Sequence, residues 1–159
     1  MVVNLSFMKK IKQKLKQTPD HVYTIASLAA LAAVNYAIIH NSFVFIAVIV
    51  LLAHELGHYF TAKSKNIEVN LPIFIPLPFL GIGLTKVGFQ TAEDQQAIAI
   101  SGPIYGFITA LLILLFNILY NFTSSLPIIF LAITELVFNF IGSDGKKYRE
   151  ARRRNASCI

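Results

Sequence analysis

The sequence predicts an all-α polytopic membrane protein with about four transmembrane helices and a short re-entrant β-like hairpin between the second and third. Three observations predict this class: 55% of the residues are hydrophobic with a mean hydropathy of +0.63, only 14% are charged, and the positive charges cluster at both ends. Soluble domains carry roughly a quarter charged residues, so the deficit indicates that lipid is the solvent.

Basic residues flank the apolar part of the chain. Residues 1–20 hold five lysines and one aspartate, and residues 144–159 hold two lysines and four arginines against one aspartate and one glutamate. Because positive charge favours the cytoplasmic side, we expect a multi-pass protein of the cell membrane with both termini cytoplasmic. The predicted parts are a basic cytoplasmic N-terminal segment (1–20), a membrane-embedded domain (21–146) and a basic cytoplasmic tail (147–159).

Composition also argues against several other classes. The basic segments lack interleaved aromatic residues and a folded nucleic-acid module, so we expect the N-terminal lysines to lie near anionic lipid headgroups and no nucleic acid to bind. Cys158 is the single cysteine, which excludes an internal disulfide framework and a thiolate metal cluster. About twenty polar residues precede the first apolar segment, and no small-residue cleavage site follows it, so we expect no cleaved signal peptide.

Four apolar segments approach the length of about 20 helical residues that crosses the hydrocarbon core. An even number of spans returns both basic ends to the same side, in agreement with the charge bias. The predicted spans are Val22 to Ile39, Ser42 to Lys63, Ala97 to Tyr120 and Ser124 to Ile141.

The apolar stretch from Asn70 to Leu84, between the second and third spans, differs in kind. Its three prolines and two glycines would break a helix. Val69, Ile73 and Ile75 favour extended backbone, so we expect a β-like hairpin or re-entrant loop sheltered against protein. Its edge could pair with a substrate strand; the alternative is a hydrophobic linker on the membrane surface.

His54-Glu55-Leu56-Gly57-His58 lies within the second span and is the most informative motif. On a helix His54 and His58 share a face, so both imidazoles can bind one Zn²⁺, while Glu55 can accept the proton of a water molecule. The pentapeptide alone can arise by chance, but ionisable side chains inside a span are costly and indicate a functional site. The sequence therefore predicts a zinc site with Glu55 as the catalytic residue.

A catalytic zinc usually has three protein ligands and one position for water, so the two histidines need a third partner. His21 and His40 lie at the edges of the first span, where polar residues are common, and we do not expect them to bind metal. With a cytoplasmic N-terminus, the second and fourth spans both run inward. His58 then lies about one turn before the inner end of its span, and Asp144 lies just past the end of the fourth.

Two acidic residues near the fourth span are candidates for the third ligand. Asp144 lies between Gly142 and Gly145, which can release the helix and let the carboxylate turn inward. Glu135 lies inside the span, four residues before Asn139 and on the same face. We favour Asp144 as the ligand, and Glu135 as a hydrogen-bond partner of a ligand or as the alternative ligand.

Small residues recur at spacings of four in two spans. Gly102 and Gly106 form such a pair in the third span, and Ala53 and Gly57 form one beside the histidines. This spacing is typical of close helix packing in membranes. We interpret both pairs as packing residues.

On these residues the chain resembles the site-2 protease family, the intramembrane zinc metalloproteases. The resemblance covers about residues 42 to 146, including the apolar hairpin. It implies a three-helix catalytic core in which Glu55 is the general base and Asn139 positions or stabilises the substrate, and the zinc ligands that it implies are His54, His58 and Asp144. The motifs that carry it are His54-Glu55-Leu56-Gly57-His58, Ser101-Gly102-Pro103, and Asn139 followed by Asp144-Gly145.

The chain departs from the family pattern at two places. The family usually has more residues, including a proline, between the asparagine and the Asp-Gly pair; here Asn139 and Asp144 are close, and Gly142 stands where the proline is expected. Many relatives also carry a soluble substrate-gating module in a loop between helices. The 63–96 segment is too short for one, so we expect a minimal member without an inserted soluble module.

The predicted function is hydrolysis of a peptide bond in or near the transmembrane segment of a membrane-protein substrate, in regulated intramembrane proteolysis. The expected partners are that substrate and the lipid bilayer, and the oligomeric state is left open. One alternative is a catalytically silent relative that binds membrane proteins without cutting; the short link to Asp144 favours it and Glu55 argues against it. The other is a metal transporter, but the sequence lacks the paired repeats typical of that class.

Overall fold

The computed structural model describes residues 20–41, 43–77, 80–88 and 90–156. The helices in this part are α1 (Asp20–Ile39), α2 (Phe43–Ser64), α3 (Ala92–Tyr120), α4 (Ser125–Ile141) and α5 (Ser143–Ala156), and the strands are β1 (Ile73–Leu77) and β2 (Leu80–Leu84). The prediction of a mostly helical chain with a hairpin between its second and third apolar segments is confirmed. The N-terminal lysines and Cys158 lie outside the described residues.

Three described helices, α1, α2 and α3, are long and apolar enough to cross a membrane. They contain 20, 22 and 29 residues. The fourth predicted span forms α4, whose 17 residues rise only about 26 Å. The count of four crossings and the re-entrant position of the hairpin therefore stay predictions.

Helix α3 begins at Ala92, earlier than the predicted start at Ala97. Thr91 caps it, because the threonine hydroxyl accepts a hydrogen bond from the backbone N–H of Asp94 at 3.1 Å. Glu93 and Asp94 in the first turn also complement the positive end of the helix dipole. Polar capping residues thus extend the helix beyond its apolar part.

The turn between α3 and α4 is organised by Asn117, which is 1% exposed. Its side-chain oxygen accepts the backbone N–H of Thr123 at 2.9 Å, and its nitrogen donates to the hydroxyl of Ser125 at 2.9 Å. Asn121 closes α3 in the left-handed conformation, with φ of 49°. These contacts turn the chain so that α4 packs back along α3.

The hairpin is antiparallel, with Ile73 opposite Leu84 and Leu77 opposite Leu80, and a bridge between Val69 and Val87 extends it. Its β1 side is covered by α1. Phe74, 2% exposed, lies in a core cluster with residues of α1 and α2. The expected shelter of the hairpin against protein is therefore present on the β1 side.

Polar side chains of α1 satisfy the backbone at the outer side of β1. Thr24 donates to the carbonyl of Pro72 at 2.8 Å, and Asn35 donates to the carbonyl of Leu77 at 3.2 Å. Ser27 accepts the N–H of Phe74 at 3.1 Å. Because irregular backbone is tolerated among apolar helices only when its polar groups have partners, these three residues permit the hairpin.

We expect Thr24→Val to lower the free energy of unfolding by about 1–2 kcal/mol, because it leaves the buried carbonyl of Pro72 without its donor. Denaturant or thermal unfolding in detergent measures the change. The control is Thr134→Val, which removes only a hydrogen bond to Leu131 in its own helix. Equal losses in both variants would contradict the importance of the contact between helix and hairpin.

Candidate metal centre

The two histidines of α2 and the aspartate at the start of α5 converge on one point. Nε2 of His54 lies 3.2 Å from Nε2 of His58 and 3.1 Å from Oδ2 of Asp144. The distance from Nε2 of His58 to the same Oδ2 is 3.4 Å. All three residues are buried, and their ligand atoms form a group that could hold a metal ion.

The opposite nitrogen of each imidazole is held by an acceptor. Nδ1 of His58 lies 2.7 Å from the carbonyl oxygen of Ile98, and Nδ1 of His54 lies 2.7 Å from Oε2 of Glu135. A carbonyl oxygen can only accept, so Nδ1 of His58 carries a proton and its Nε2 can direct a lone pair at the centre. The carboxylate of Glu135 favours the same arrangement for His54.

The three distances fit one small cation. A tetrahedral zinc ion with bonds of about 2.0–2.1 Å separates its ligand atoms by about 3.3–3.4 Å. The separations of 3.1, 3.2 and 3.4 Å are close to that value. Two imidazoles and one carboxylate are also a donor set that suits zinc, and His21 and His40 lie outside this cluster of the described residues.

Asp144 reaches the histidines because the chain breaks between α4 and α5. Gly142 separates the two helices, and its carbonyl accepts the N–H of Lys146 at 2.9 Å in the first turn of α5. The remaining carboxylate oxygen, Oδ1 of Asp144, lies 3.4 Å from Nζ of Lys147. The predicted basic tail, 147–159, begins within α5, and its residues up to Ala156 are helical.

Glu135 and Asn139 lie one turn apart on α4, as their spacing predicts, and both face His54. Oε2 of Glu135 accepts from Nδ2 of Asn139 at 2.8 Å as well as facing Nδ1 of His54. Nδ2 of Asn139 is 3.5 Å from the same ring nitrogen. Glu135 therefore contacts the imidazole of His54 at Nδ1, and it does not belong to the group of His54, His58 and Asp144 whose ligand atoms converge.

Gly102 and Gly106 border the polar cluster more closely than the sequence analysis indicated. A Cβ atom at Gly102 would overlap the imidazole of His58 and lie 2.9 Å from Nε2 of His54. At Gly106 it would lie 2.6 Å from Oε2 of Glu135. Their spacing predicts packing, but only the structure shows that α3 packs these glycines against His54, His58 and Glu135.

Glu55 points toward the hairpin. Its Oε2 accepts a hydrogen bond from the hydroxyl of Thr85 at 2.7 Å, and its side chain passes over Gly83 so closely that a Cβ there would overlap it. Thr85 was not singled out from the sequence. A single hydroxyl residue after an apolar strand carries no pattern that relates it to a glutamate 30 positions earlier.

A cavity of about 740 Å³ lies between the histidine cluster and the hairpin. One side is lined by His54, His58, Asp144 and Glu55. Strand β2 lines the other side. Within the described part of the chain, β2 pairs only with β1, so its second edge faces this space. The cavity has room for a stretch of extended polypeptide beside the acidic and imidazole groups.

Comparison with known proteins gives the family of this chain. Residues 42–147, two thirds of the 159 residues, match the model of Peptidase family M50. The probable zinc metalloprotease EGY2, chloroplastic, of Arabidopsis thaliana is 32% identical over 77 residues, which are 46% of this chain and 14% of that relative. No solved structure matches the chain. The chain therefore belongs to Peptidase family M50, the site-2 protease family.

Proposed function

We propose that this protein is an intramembrane zinc metalloprotease that cleaves a peptide bond in or near the transmembrane segment of a membrane-protein substrate. The convergence of His54, His58 and Asp144 beside Glu55 is the observation that carries the proposal. The two histidines and Glu55 lie on α2, which is long and apolar enough to cross a membrane. Family membership supports the proposal, and the relative from Arabidopsis thaliana is named a probable zinc metalloprotease. The chain aligns with only 14% of that relative, so its activity and substrates are proposed from the site.

The proposed zinc ligands are Nε2 of His54, Nε2 of His58 and Oδ2 of Asp144. When bound, zinc would supply Lewis acidity, which makes a water molecule more acidic and polarises the scissile carbonyl. Glu135 and the carbonyl of Ile98 orient the two imidazoles through their Nδ1 atoms. Such outer hydrogen bonds fix the tautomer and raise the basicity of a histidine ligand.

Glu55 is the proposed general acid–base. It accepts a proton from the attacking water as the water oxygen bonds to the peptide carbon. It then delivers that proton to the nitrogen as the C–N bond breaks. Glu55 is 7% exposed and lines the cavity beside His54, which supports a role in proton transfer within that cavity.

Asn139 is the proposed partner of the substrate carbonyl. An amide nitrogen carries two hydrogens, so Asn139 can bond Glu135 and still donate to an oxygen in the cavity that it lines. A donor of this kind stabilises negative charge that develops on the carbonyl oxygen during attack.

The free edge of β2 is the proposed docking edge for the substrate. A helical substrate hides its carbonyls in backbone hydrogen bonds, so it must unwind before attack. Strand addition at β2 would satisfy the unwound backbone, whereas the outer side of β1 is already bonded by α1. The half-exposed side chains of Ile82 and Leu84 make this edge suitable for an apolar segment.

We also propose four membrane crossings with both termini cytoplasmic, with α4 as the fourth crossing. Arg153 and Arg154 in the last turn of α5 and the Lys65–Asp94 pair (2.8 Å) then mark the cytoplasmic boundary. Regulated intramembrane proteolysis in the cell membrane is the proposed context. The metalloprotease domain, 21–146, includes the first turn of α5.

We expect Glu55→Gln to lower cleavage of a transmembrane reporter in liposomes by at least about 100-fold while zinc content stays at the wild-type level, because the amide cannot take the proton. Gel-based cleavage and metal analysis measure the two quantities. Glu68→Gln, at an exposed glutamate, is the control. Equal cleavage by Glu55→Gln and wild type would refute the mechanism, and a wild type that binds zinc without cleaving would favour the catalytically silent alternative.

Variants of the two acidic candidates decide the third ligand. We expect Asp144→Ala to lose most of its zinc, because it removes one of three ligand atoms. Glu135→Gln should weaken zinc affinity by about 10–100-fold, because it removes only an outer partner of His54. Competition with a zinc-binding dye gives the affinities; full zinc retention by Asp144→Ala would overturn the assignment.

Gly102→Ala tests whether the close packing of α3 against His54 and His58 is needed for zinc binding. The new methyl group would overlap the imidazole of His58, so we expect zinc content to fall well below one ion per chain. Gly88→Ala is the matched control, because the nearest atom to its new methyl is a backbone oxygen at 3.1 Å outside the cluster. Normal zinc content in Gly102→Ala would show that the helices separate easily at this point.

A further inference from the structure

We propose that Thr85 is a positioning residue that holds the carboxylate of Glu55 in the orientation needed for proton transfer. This inference rests on the proposed function, because it assigns Thr85 a role through the proposed general acid–base. The contact that carries it joins Oγ1 of Thr85 to Oε2 of Glu55 at 2.7 Å.

The hydroxyl of Thr85 has one hydrogen, and the short distance to the carboxylate shows where it is donated. The backbone carbonyl of Glu55 lies farther away, at 3.4 Å from the same hydroxyl. A separation of 2.7 Å is in the normal range for a hydrogen bond from a hydroxyl to an oxygen, whereas 3.4 Å is beyond it. Oε2 is therefore the anchored oxygen of Glu55, and Oε1 is the one left to accept a proton from water.

Gly83 contacts the side chain of Glu55 from the strand β2. A Cβ atom at Gly83 would overlap Cγ of Glu55 and lie 2.5 Å from its Cδ and Oε1. Strand β2 thus has no side chain at the point where Glu55 crosses it, and Thr85 follows two residues later. The side chain of Glu55 is confined between the backbone of Gly83 and the hydroxyl of Thr85. This confinement limits a flexible side chain to few rotamers.

The backbone on both sides of Thr85 is held in place. Leu84 pairs with Ile73 at the end of the hairpin, and Val87 pairs with Val69 in the bridge beyond it. The β-branched side chain of Thr85 is itself stiff at χ1. The direction of the hydroxyl is therefore set by the hairpin and not by a mobile loop.

The hairpin consequently connects substrate binding with the position of the base. Strand β2 lines the cavity with its free edge, and the residue just after it holds Glu55. A substrate strand paired with β2 would be aligned on the same rigid element as the carboxylate. Such shared placement matters because an error of about 1 Å in a catalytic group can cost about 100-fold in rate.

Thr85→Val and Thr85→Ser separate the hydroxyl from the shape of the side chain. Valine keeps the volume but cannot donate, so we expect kcat to fall about 10–100-fold while KM stays within about twofold and zinc content is unchanged. Serine keeps the donor and should restore most of the rate. Wild-type kcat in Thr85→Val, or equal losses in the valine and serine variants, would overturn the proposal.

Thermal unfolding of the zinc-free protein gives a readout that does not depend on activity. Thr85→Val should lower Tm by a few degrees in the wild-type background, because the buried carboxylate loses its donor. In a Glu55→Ala background the same substitution should leave Tm unchanged. An equal decrease in both backgrounds would show that Thr85 stabilises the hairpin without acting on Glu55, and would overturn the proposal.

The two proposals fail in different ways. A wild-type protein that binds zinc but cleaves no transmembrane reporter would overturn the proposed function, and the role of Thr85 with it. A wild type that cleaves, together with a Thr85→Val variant of equal kcat, would overturn only the role of Thr85.

Discussion

The structure depends on the burial of two imidazoles and two carboxylates between helices that are otherwise apolar. Each of these groups is costly without a partner, and here each has one: the histidines face Asp144 on one side and Glu135 or a backbone carbonyl on the other. The approach of α3 to α2 is possible because Gly102 has no side chain where the imidazoles lie. The break at Gly142 is needed because Asp144 must turn back toward α2.

The hairpin follows a second constraint, the need to satisfy extended backbone among apolar helices. Helix α1 supplies the partners on one side through Thr24, Ser27 and Asn35. The other side borders the cavity, and it is the edge that we propose for substrate docking. The outer edge of β1 is thus stabilised by α1, whereas the outer edge of β2 borders the cavity. The edge of β2 also lies beside Glu55, the proposed catalytic residue.

Much of the candidate site could be predicted because helical periodicity is a local property. The spacing of His54 and His58, and of Glu135 and Asn139, places each pair on one face whatever surrounds the helix. Asp144 was reached from its position after a predicted span, its two flanking glycines and a family resemblance. Apolarity alone predicts a start of α3 at Ala97, which is wrong, because Thr91 and the acidic residues after it extend the helix to Ala92.

Other features could not be predicted, since they depend on contacts between distant segments. The apolar helices, the hairpin and the residue types of the candidate metal centre follow from the sequence alone, because composition and short spacings specify these. The assembled structure is needed to show that Glu135 lies outside the group of three converging atoms and that Thr85 contacts Glu55. It also shows that Gly102 faces the imidazoles and Gly106 faces Glu135. Those outcomes depend on how closely α2, α3 and the hairpin pack, and close packing is a property of the assembled helices and not of any one segment.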